Sequence, residues 1–475
     1  MFRIYKMNKN NNIKTIKINK KRFSNTKRNS KPKQIVEKGG NVLASGGFGC
    51  VFSPALICEG EKKRSANKIS KLMTEKHAIS EYEEIVSIKR LLEDIKDYRD
   101  YFLIYDATLC KPSSLSTEDL DNYTRKCRAL PKDKITKSNI NENLNKLMSL
   151  NMPNGGLPID DYLYESGSIV KMYDVHFKLL ILLKKGILPM NKRNIYHCDI
   201  KDSNVLMDKN GKTRLIDWGL AVEYTPFKQH TFPKSWRNRP FQFNVPFSVI
   251  LFSDSFVEKY TIFLQNRDEP SKTELKPFVI DYISAWMNER GAGHYKFINE
   301  IMFELFSHSI TELSEKSKAQ IVETQITMNF IVNYIVDILA HFTKPGRQVK
   351  DCLRDYLDNV FIKIVDIWGF ISVYFVFIEI LSNNYSRLSK QEMEIFNKVK
   401  HIFVEYLYNP RHEPININAL YSDLNDLSIL FIKKKMDSAK GKKKTRKINF
   451  SKSNISFKRK PKKKRFKRPF LLSLK

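Results

Sequence analysis

The sequence is short of several things, and each shortage narrows the possibilities. Its 475 residues include only six cysteines, at 50, 58, 110, 127, 198 and 352, with no C-x-x-C pair. No zinc or disulfide framework is readable from that spacing, and unpaired thiols in a reduced, intracellular compartment are expected. The basic N-terminus is not followed by an apolar stretch, so no secretory signal is expected. Long uncharged apolar runs are missing too. The greasiest segment, 361–381, contains Lys363, Asp366 and Glu379, which leaves an uncharged part too short to cross a bilayer. A buried core helix is expected there, and no transmembrane segment. There is no internal repeat.

Acidic residues are nearly absent from both ends. Residues 1–38 hold 13 Lys and Arg against Glu37 alone, and residues 433–475 hold 20 against Asp437 alone. The net charge of +32 therefore sits in the tails, and the body between them is close to neutral. Both tails lack apolar periodicity and read as disordered. The phenylalanines at 450, 457, 466 and 470 alternate with cations, a pattern suited to gripping nucleic acid or an acidic membrane surface. The run "KPKKKRFKRP" would also serve in nuclear import.

Between the tails the pattern changes once. Residues 39–75 alternate short β-prone runs with glycines and charged turns. Residues 80–95 place Ile85, Ile88, Leu91 and Leu92 on one helical face. Residues 111–143 are polar and irregular, as in a loop insertion. An apolar helix at 175–187 leads into "IYHCDIKDSNVLMD", residues 195–208, and from 248 to about 430 the pattern is helical.

That 195–208 stretch crowds His197, Cys198, Asp199, Lys201 and Asn204 inside a fence of Ile195, Ile200, Val205 and Leu206. Asp199 can accept a proton from a hydroxyl. Lys201 can neutralise charge on a transferred group, and Asn204 can offer an amide oxygen to a hard cation. Thirteen residues after Asn204, "LIDWGLA" puts Asp217 after an apolar run and before Gly219, which suits a Mg²⁺ ligand. Upstream, "LASGGFGCVF" lets the backbone bring N–H groups against an anion. Each piece alone reads as a turn or a solvated side chain; their order and spacing make that reading poor.

Taken together the pieces resemble the eukaryotic-type protein kinase family. "LASGGFGCV" is similar to the phosphate-covering loop G-x-G-x-x-G-x-V, which assigns nucleotide contact to Ala44, Ser45, Gly46, Gly47, Phe48, Gly49 and Val51. "KISK" makes Lys71 the phosphate-binding lysine, and "EEIVSIKRL" makes Glu84 its ion-pair partner. Residues 147–163 look like the hinge, with Met152 near the adenine and Ser149 as gatekeeper. "HCDIKDSN" resembles H-R-D-L-x-x-x-N, "DWG" resembles D-F-G, and "VDIWGFISVY" resembles the central helix of the large lobe.

The resemblance implies an α+β, bilobal fold. A β-rich N-lobe is expected over 39–151, and a helical C-lobe over 152–432 carrying a helical insertion at about 250–360. It implies ATP and Mg²⁺ as cofactors, with Asn204 and Asp217 on the metal, Lys71 on the phosphates, Asp199 as base and Lys201 on the transferring group. "DIK" points to Ser/Thr in a protein substrate, and a monomer is expected. The alternatives are a pseudokinase scaffold and a nucleic-acid-binding protein acting through the tails. The pattern is also departed from. Cys198 stands where the family has Arg, so activation by a phosphorylated segment loses its reader. Near "FNVPFSV", Phe247 replaces the Glu of A-P-E. These departures and the Lys/Asn/Ile-rich composition look similar to kinases of large DNA viruses.

Overall fold

The computed structural model describes residues 40–444 apart from 66, 166–168, 229, 230 and 238, with side chains described as far as residue 434. The expectations for residues 1–38 and 445–475 lie outside the described residues.

A five-stranded antiparallel sheet opens the chain: β1 (Asn41–Ser45), β2 (Gly49–Ser53), β3 (Lys68–Thr74), β4 (Thr108–Cys110) and β5 (Leu147–Pro153), in the order β1-β2-β3-β5-β4. The period of two in "KISKLMT" sends Leu72 to one face and Met73 to the other. Lys71 shares the Met73 face and lies opposite Val51 in β2 and Leu150 in β5. Thr74 ends β3 and is already the N-cap of helix α1 (Glu75–Leu92), so no loop separates strand from helix. Ala78, Ile85, Ile88 and Leu92 bury one stripe of α1 against the main core, at the i, i+3, i+4, i+7 spacing of an amphipathic helix.

The outer face of the sheet is not left to solvent. Residues 111–146, polar on average, donate Leu115, Tyr123, Leu130, Ile135 and Ile140 to a second core with Val42, Phe52 and Leu72. Cys50–Cys127 ties this layer to β2 and Cys58–Cys110 ties the β2–β3 connection to β4, while Cys198 and Cys352 are free and buried. The expectation of unpaired cysteines is thus corrected. Partners 77 and 52 residues apart meet only once the strands and the insertion are stacked, which linear spacing cannot reveal.

Beyond β5 the chain is helical. Ile169–Leu182 leads to the 195–208 stretch, whose end forms the short strand Val205–Met207, paired antiparallel with Thr213–Leu215. The span 250–360 holds the helices Asp254–Leu264, Lys272–Arg290, Tyr295–Phe306, Met328–Phe342 and Val349–Tyr356. Ser271 and Glu274 close a capping box at the start of the second of these. Val349–Ser382 is the one described helical segment long and apolar enough to cross a membrane, and 94% of its most apolar window is buried inside the protein. It serves as the core helix expected from its charges. The last helix, Ile417–Lys444, runs on past residue 433, where the tail was expected to begin. Lys434 there meets Ser389 and Glu392, which anchors that turn.

Candidate active site

The glycine turn lies directly over β3. A Cβ on Gly46 would sit 3.6 Å from Cε of Lys71, and one on Gly49 would drive into the Leu72 carbonyl at 2.7 Å. Glycine is therefore required at 49 for the hairpin to approach the strand, while the Gly46 position would seat a Cβ in ordinary contact. Ala44 and Val51 are ladder partners flanking the turn, and Gly47 is open to solvent. Phe48 is exposed and stacks on the His77 ring of α1 at 4.4 Å. Ser45 departs from its expected role: its Oγ accepts the N–H groups of Arg128 and Ala129, both at 3.0 Å, so the side chain serves the insertion. Only its backbone is left for a ligand.

Lys71 Nζ donates to both carboxylate oxygens of Glu81 at 2.7 Å. The expected partner, Glu84, is corrected. Because α1 starts four residues after Lys71, its second turn already reaches the lysine. Glu84 lies roughly 4.5 Å further along the axis. There it approaches the DWG turn, where a Cβ on Gly219 would be 3.8 Å from Glu84 Oε2 and 3.9 Å from Asp217 Oδ1. Burial first, then the neighbouring Glu81, pushes the Glu84 carboxyl up, with Lys71 opposing and Asp217 adding to it. The gatekeeper is corrected as well. Leu150, not Ser149, is opposite Lys71 and buried in the main core. Ser149 points to the outer face, where its Oγ donates to Asn151. Met152 shares the Leu150 face and is half-buried against the main core.

Asp199 sits at the floor of the site. Lys201 Nζ donates to its Oδ2 at 2.7 Å, Asn204 Nδ2 to the same oxygen at 2.9 Å, and Asn244 Nδ2 to its Oδ1 at 2.8 Å. Burial alone would raise this carboxyl; the Lys201 charge and these donors outweigh it, and it stays below the usual carboxylate range. The loop is pinned from below by Asp366, which is fully buried. Its oxygens accept the N–H groups of His197 and Cys198 and the Asn191 amide, at 2.7–2.9 Å. His197 in turn meets the Ile216 carbonyl at 3.0 Å.

Asn204 and Asp217 come together because Val205 pairs with Leu215 and the Ile216 N–H donates to the Asn204 carbonyl at 3.0 Å. Cys198 and Asp217 both have positive φ, 59° and 67°, costly for non-glycine residues and sustained by the contacts around them. Trp218 is locked between the Phe102 and His197 rings. The Asn204 amide nitrogen is committed to Asp199, which leaves its oxygen for a cation. Asp217 is exposed and has no hydrogen bond or ion pair among the described residues. No cluster of three or more His, Cys, Asp or Glu side chains among the described residues surrounds a metal position. One carboxylate and one amide oxygen suit a Mg²⁺ ion that takes its remaining ligands from phosphates and water.

Some contacts had no signal in the sequence. Asn244 is one. Another is the replacement for A-P-E, where Phe247 packs on Trp368, Tyr334 and Tyr408, so an aromatic cluster stands where a carboxylate was looked for. Cys198 is buried among Tyr196, Trp236 and Asp366, and burial pushes its thiol up, an environment that suits a packing role.

Residues 40–236 match the family model of the protein kinase domain. Among curated proteins, the chain is 36% identical over 70 residues to serine/threonine-protein kinase STY46 of Arabidopsis thaliana, covering 15% of this chain and 12% of that one. It is 33% identical over 84 residues to phytosulfokine receptor 2 of the same plant, covering 17% and 8%. It is 31% identical over 81 residues to G protein-coupled receptor kinase 2 of Caenorhabditis elegans, covering 17% and 11%. The matched region spans about a tenth of the length of these relatives. The antiparallel N-terminal sheet and helical C-terminal region make the bilobal protein-kinase fold.

Proposed function

We propose that this chain, a protein kinase fold with its kinase domain at residues 40–236, transfers the γ-phosphate of ATP to Ser or Thr hydroxyls of a protein. The observation that carries the reading is that Lys71, ion-paired to Glu81, lies beneath the glycine turn, while Asn204 is hydrogen-bonded to Asp199 and is tied by the Ile216 N–H to the strand end that carries Asp217. On this reading the phosphate, metal and base functions share one site.

Lys71, fixed by Glu81, holds the phosphates of the nucleotide. Asn204 and Asp217 would hold Mg²⁺, which would supply charge neutralisation at the phosphates. Asp199 orients the substrate hydroxyl and takes its proton at a carboxylate oxygen as the bond from that hydroxyl oxygen to the γ-phosphorus forms and the bond from the γ-phosphorus to the leaving ADP breaks. Lys201 turns from Asp199 toward the transferring group, offsetting its charge. Lys201 two residues after the base supports hydroxyls of Ser and Thr over Tyr. The test is transfer of labelled γ-phosphate from ATP to a generic protein substrate, followed by phosphoamino-acid analysis. Wild type should label Ser or Thr and Asp217→Asn should not; equal labelling by both would sink the reading.

The basic tails are proposed to add contacts to nucleic acid or an acidic membrane, testable as salt-sensitive retention that disappears when 433–475 is deleted. An intracellular location is also a proposal. The two disulfides make it testable, since thiol labelling of the chain in its native compartment reads their state.

A further inference from the structure

Arg239 and Asn244 belong to the segment that follows DWG, and neither has a part in the mechanism above. Both are buried. Arg239 Nη2 donates to the Cys198 carbonyl at 2.6 Å and lies 4.0 Å from Asp199 Oδ1; its Nε donates to Gln242 at 2.6 Å. Its Nη1 is buried without a hydrogen-bond partner, as is Oδ1 of Asn244, whose nitrogen holds Asp199. A guanidinium and an amide are thus sunk in the core at the cost of two unsatisfied atoms, and what they gain is the backbone and carboxylate of the base.

The segment is itself clamped from three sides. Trp368 Nε1 donates to the Phe243 carbonyl at 2.9 Å. Gly369 lets the Ile200 and Asn244 backbones lie on one helix, since a Cβ there would meet the Ile200 carbonyl at 2.8 Å and that of Asn244 at 3.3 Å. From the helical insertion, His294 donates its backbone N–H to the Phe241 carbonyl at 2.8 Å and lays its ring against Phe243. Upstream, Asp358 accepts the Tyr224 hydroxyl at 2.6 Å and the Phe227 N–H at 3.1 Å.

We propose that Arg239 and Asn244 are positioning residues for Asp199, held in place by the helical insertion, so that the catalytic loop is ordered without a phosphate on the segment after DWG. This rests on the kinase reading. The cation that Cys198 lacks is returned from inside the segment by Arg239, in a place no phosphate reader needs to reach. The insertion, on this account, is an intramolecular activator.

The test uses full-length protein and two readouts. In phosphate transfer, Asn244→Ala and Arg239→Met should lower kcat about 10–100-fold while KM for ATP moves less than threefold, as expected of groups acting through Asp199. Arg239→Lys should recover part of the Arg239→Met loss. Phosphatase-treated protein in which three hydroxyl residues of the segment after DWG are removed, by Thr225→Ala, Thr231→Ala and Ser235→Ala, should keep kcat within twofold. Independently of activity, amide hydrogen exchange over 195–204 should quicken at least tenfold in Asn244→Ala and Arg239→Met, with melting temperatures near wild type. Unchanged kcat and unchanged exchange in both variants would overturn the proposal, as would loss of activity on dephosphorylation. If wild type transfers no phosphate, the kinase reading fails, and the exchange measurement alone decides the positioning claim.

Discussion

Exchanging the two glutamates of α1 tests the site geometry at its least expected point. Glu81 holds Lys71 through two contacts at 2.7 Å, with side chains 22% and 15% exposed. Hydrogen bonds between charged groups contribute about 1.5–3 kcal/mol each when sheltered, and partial exposure discounts this pair to about 1.5–3 kcal/mol in all. At about 1.4 kcal/mol per tenfold, Glu81→Gln should lower kcat/KM for ATP roughly 10–100-fold. Glu84 makes no ion pair with Lys71 among the described residues, so Glu84→Gln should change kcat/KM less than about threefold by the same arithmetic. The assay is steady-state phosphate transfer at varied ATP, with melting curves to show that both variants fold. The sign of the stability effect is also expected to differ. The Glu84 carboxyl is raised by burial and by Glu81, so its ionised form weakens the fold as pH rises through its folded value. Glu84→Gln should therefore stabilise slightly at neutral pH. A large activity loss in Glu84→Gln with a silent Glu81→Gln would refute the geometry.

Three further outcomes are expected. Asp202, pushed up to about 7 by burial and by the nearby Asp160 and Glu379, weakens the fold as pH rises from the ordinary carboxylate range through 7. Asp202→Asn should flatten the melting-temperature profile between pH 5 and about 8 and raise its alkaline end. Asp366→Ala strands the amides of His197, Cys198 and Asn191 in the core. It should cost about 3–5 kcal/mol in denaturant unfolding. Reducing Cys50–Cys127 and Cys58–Cys110 reopens loops of 77 and 52 residues, about 4 kcal/mol each on a chain-entropy account. The N-terminal sheet should then lose exchange protection before the helical region does.

What could be read from the sequence depended on whether the determinant was local. Lys71, Asp199, Asn204 and Asp217 lie in short motifs whose residue types and spacing are set by one strand or one turn, and the fold brings them together. A period of two giving way to a period of 3.6 marks the passage from a β-rich part to a helical part, and the family resemblance is what implies that these are two lobes. The resemblance of "EEIVSIKRL" points to Glu84, whereas the absence of a β3–α1 loop brings Glu81, one turn earlier, to Lys71. The gatekeeper position is misread by one residue from sequence because a strand's facing flips with a shift of one, and the pairing of Leu150 with Lys71 is set by the partner strand. The disulfides, the second core under 111–146, and the Phe247 cluster all join residues tens to more than a hundred positions apart. Asn244 carried no signal because an asparagine in an irregular segment is an ordinary turn residue until Asp199 is placed beside it.

The central claim is that strand lysine, amide and carboxylate surround one metal-bound nucleotide, and calorimetric titration with ATP addresses it directly. Binding by wild type should require Mg²⁺, vanish with EDTA, weaken at least tenfold in Lys71→Ala and lose its Mg²⁺ dependence in Asp217→Asn. Metal-independent binding that ignores both substitutions would place the nucleotide elsewhere and contradict the account.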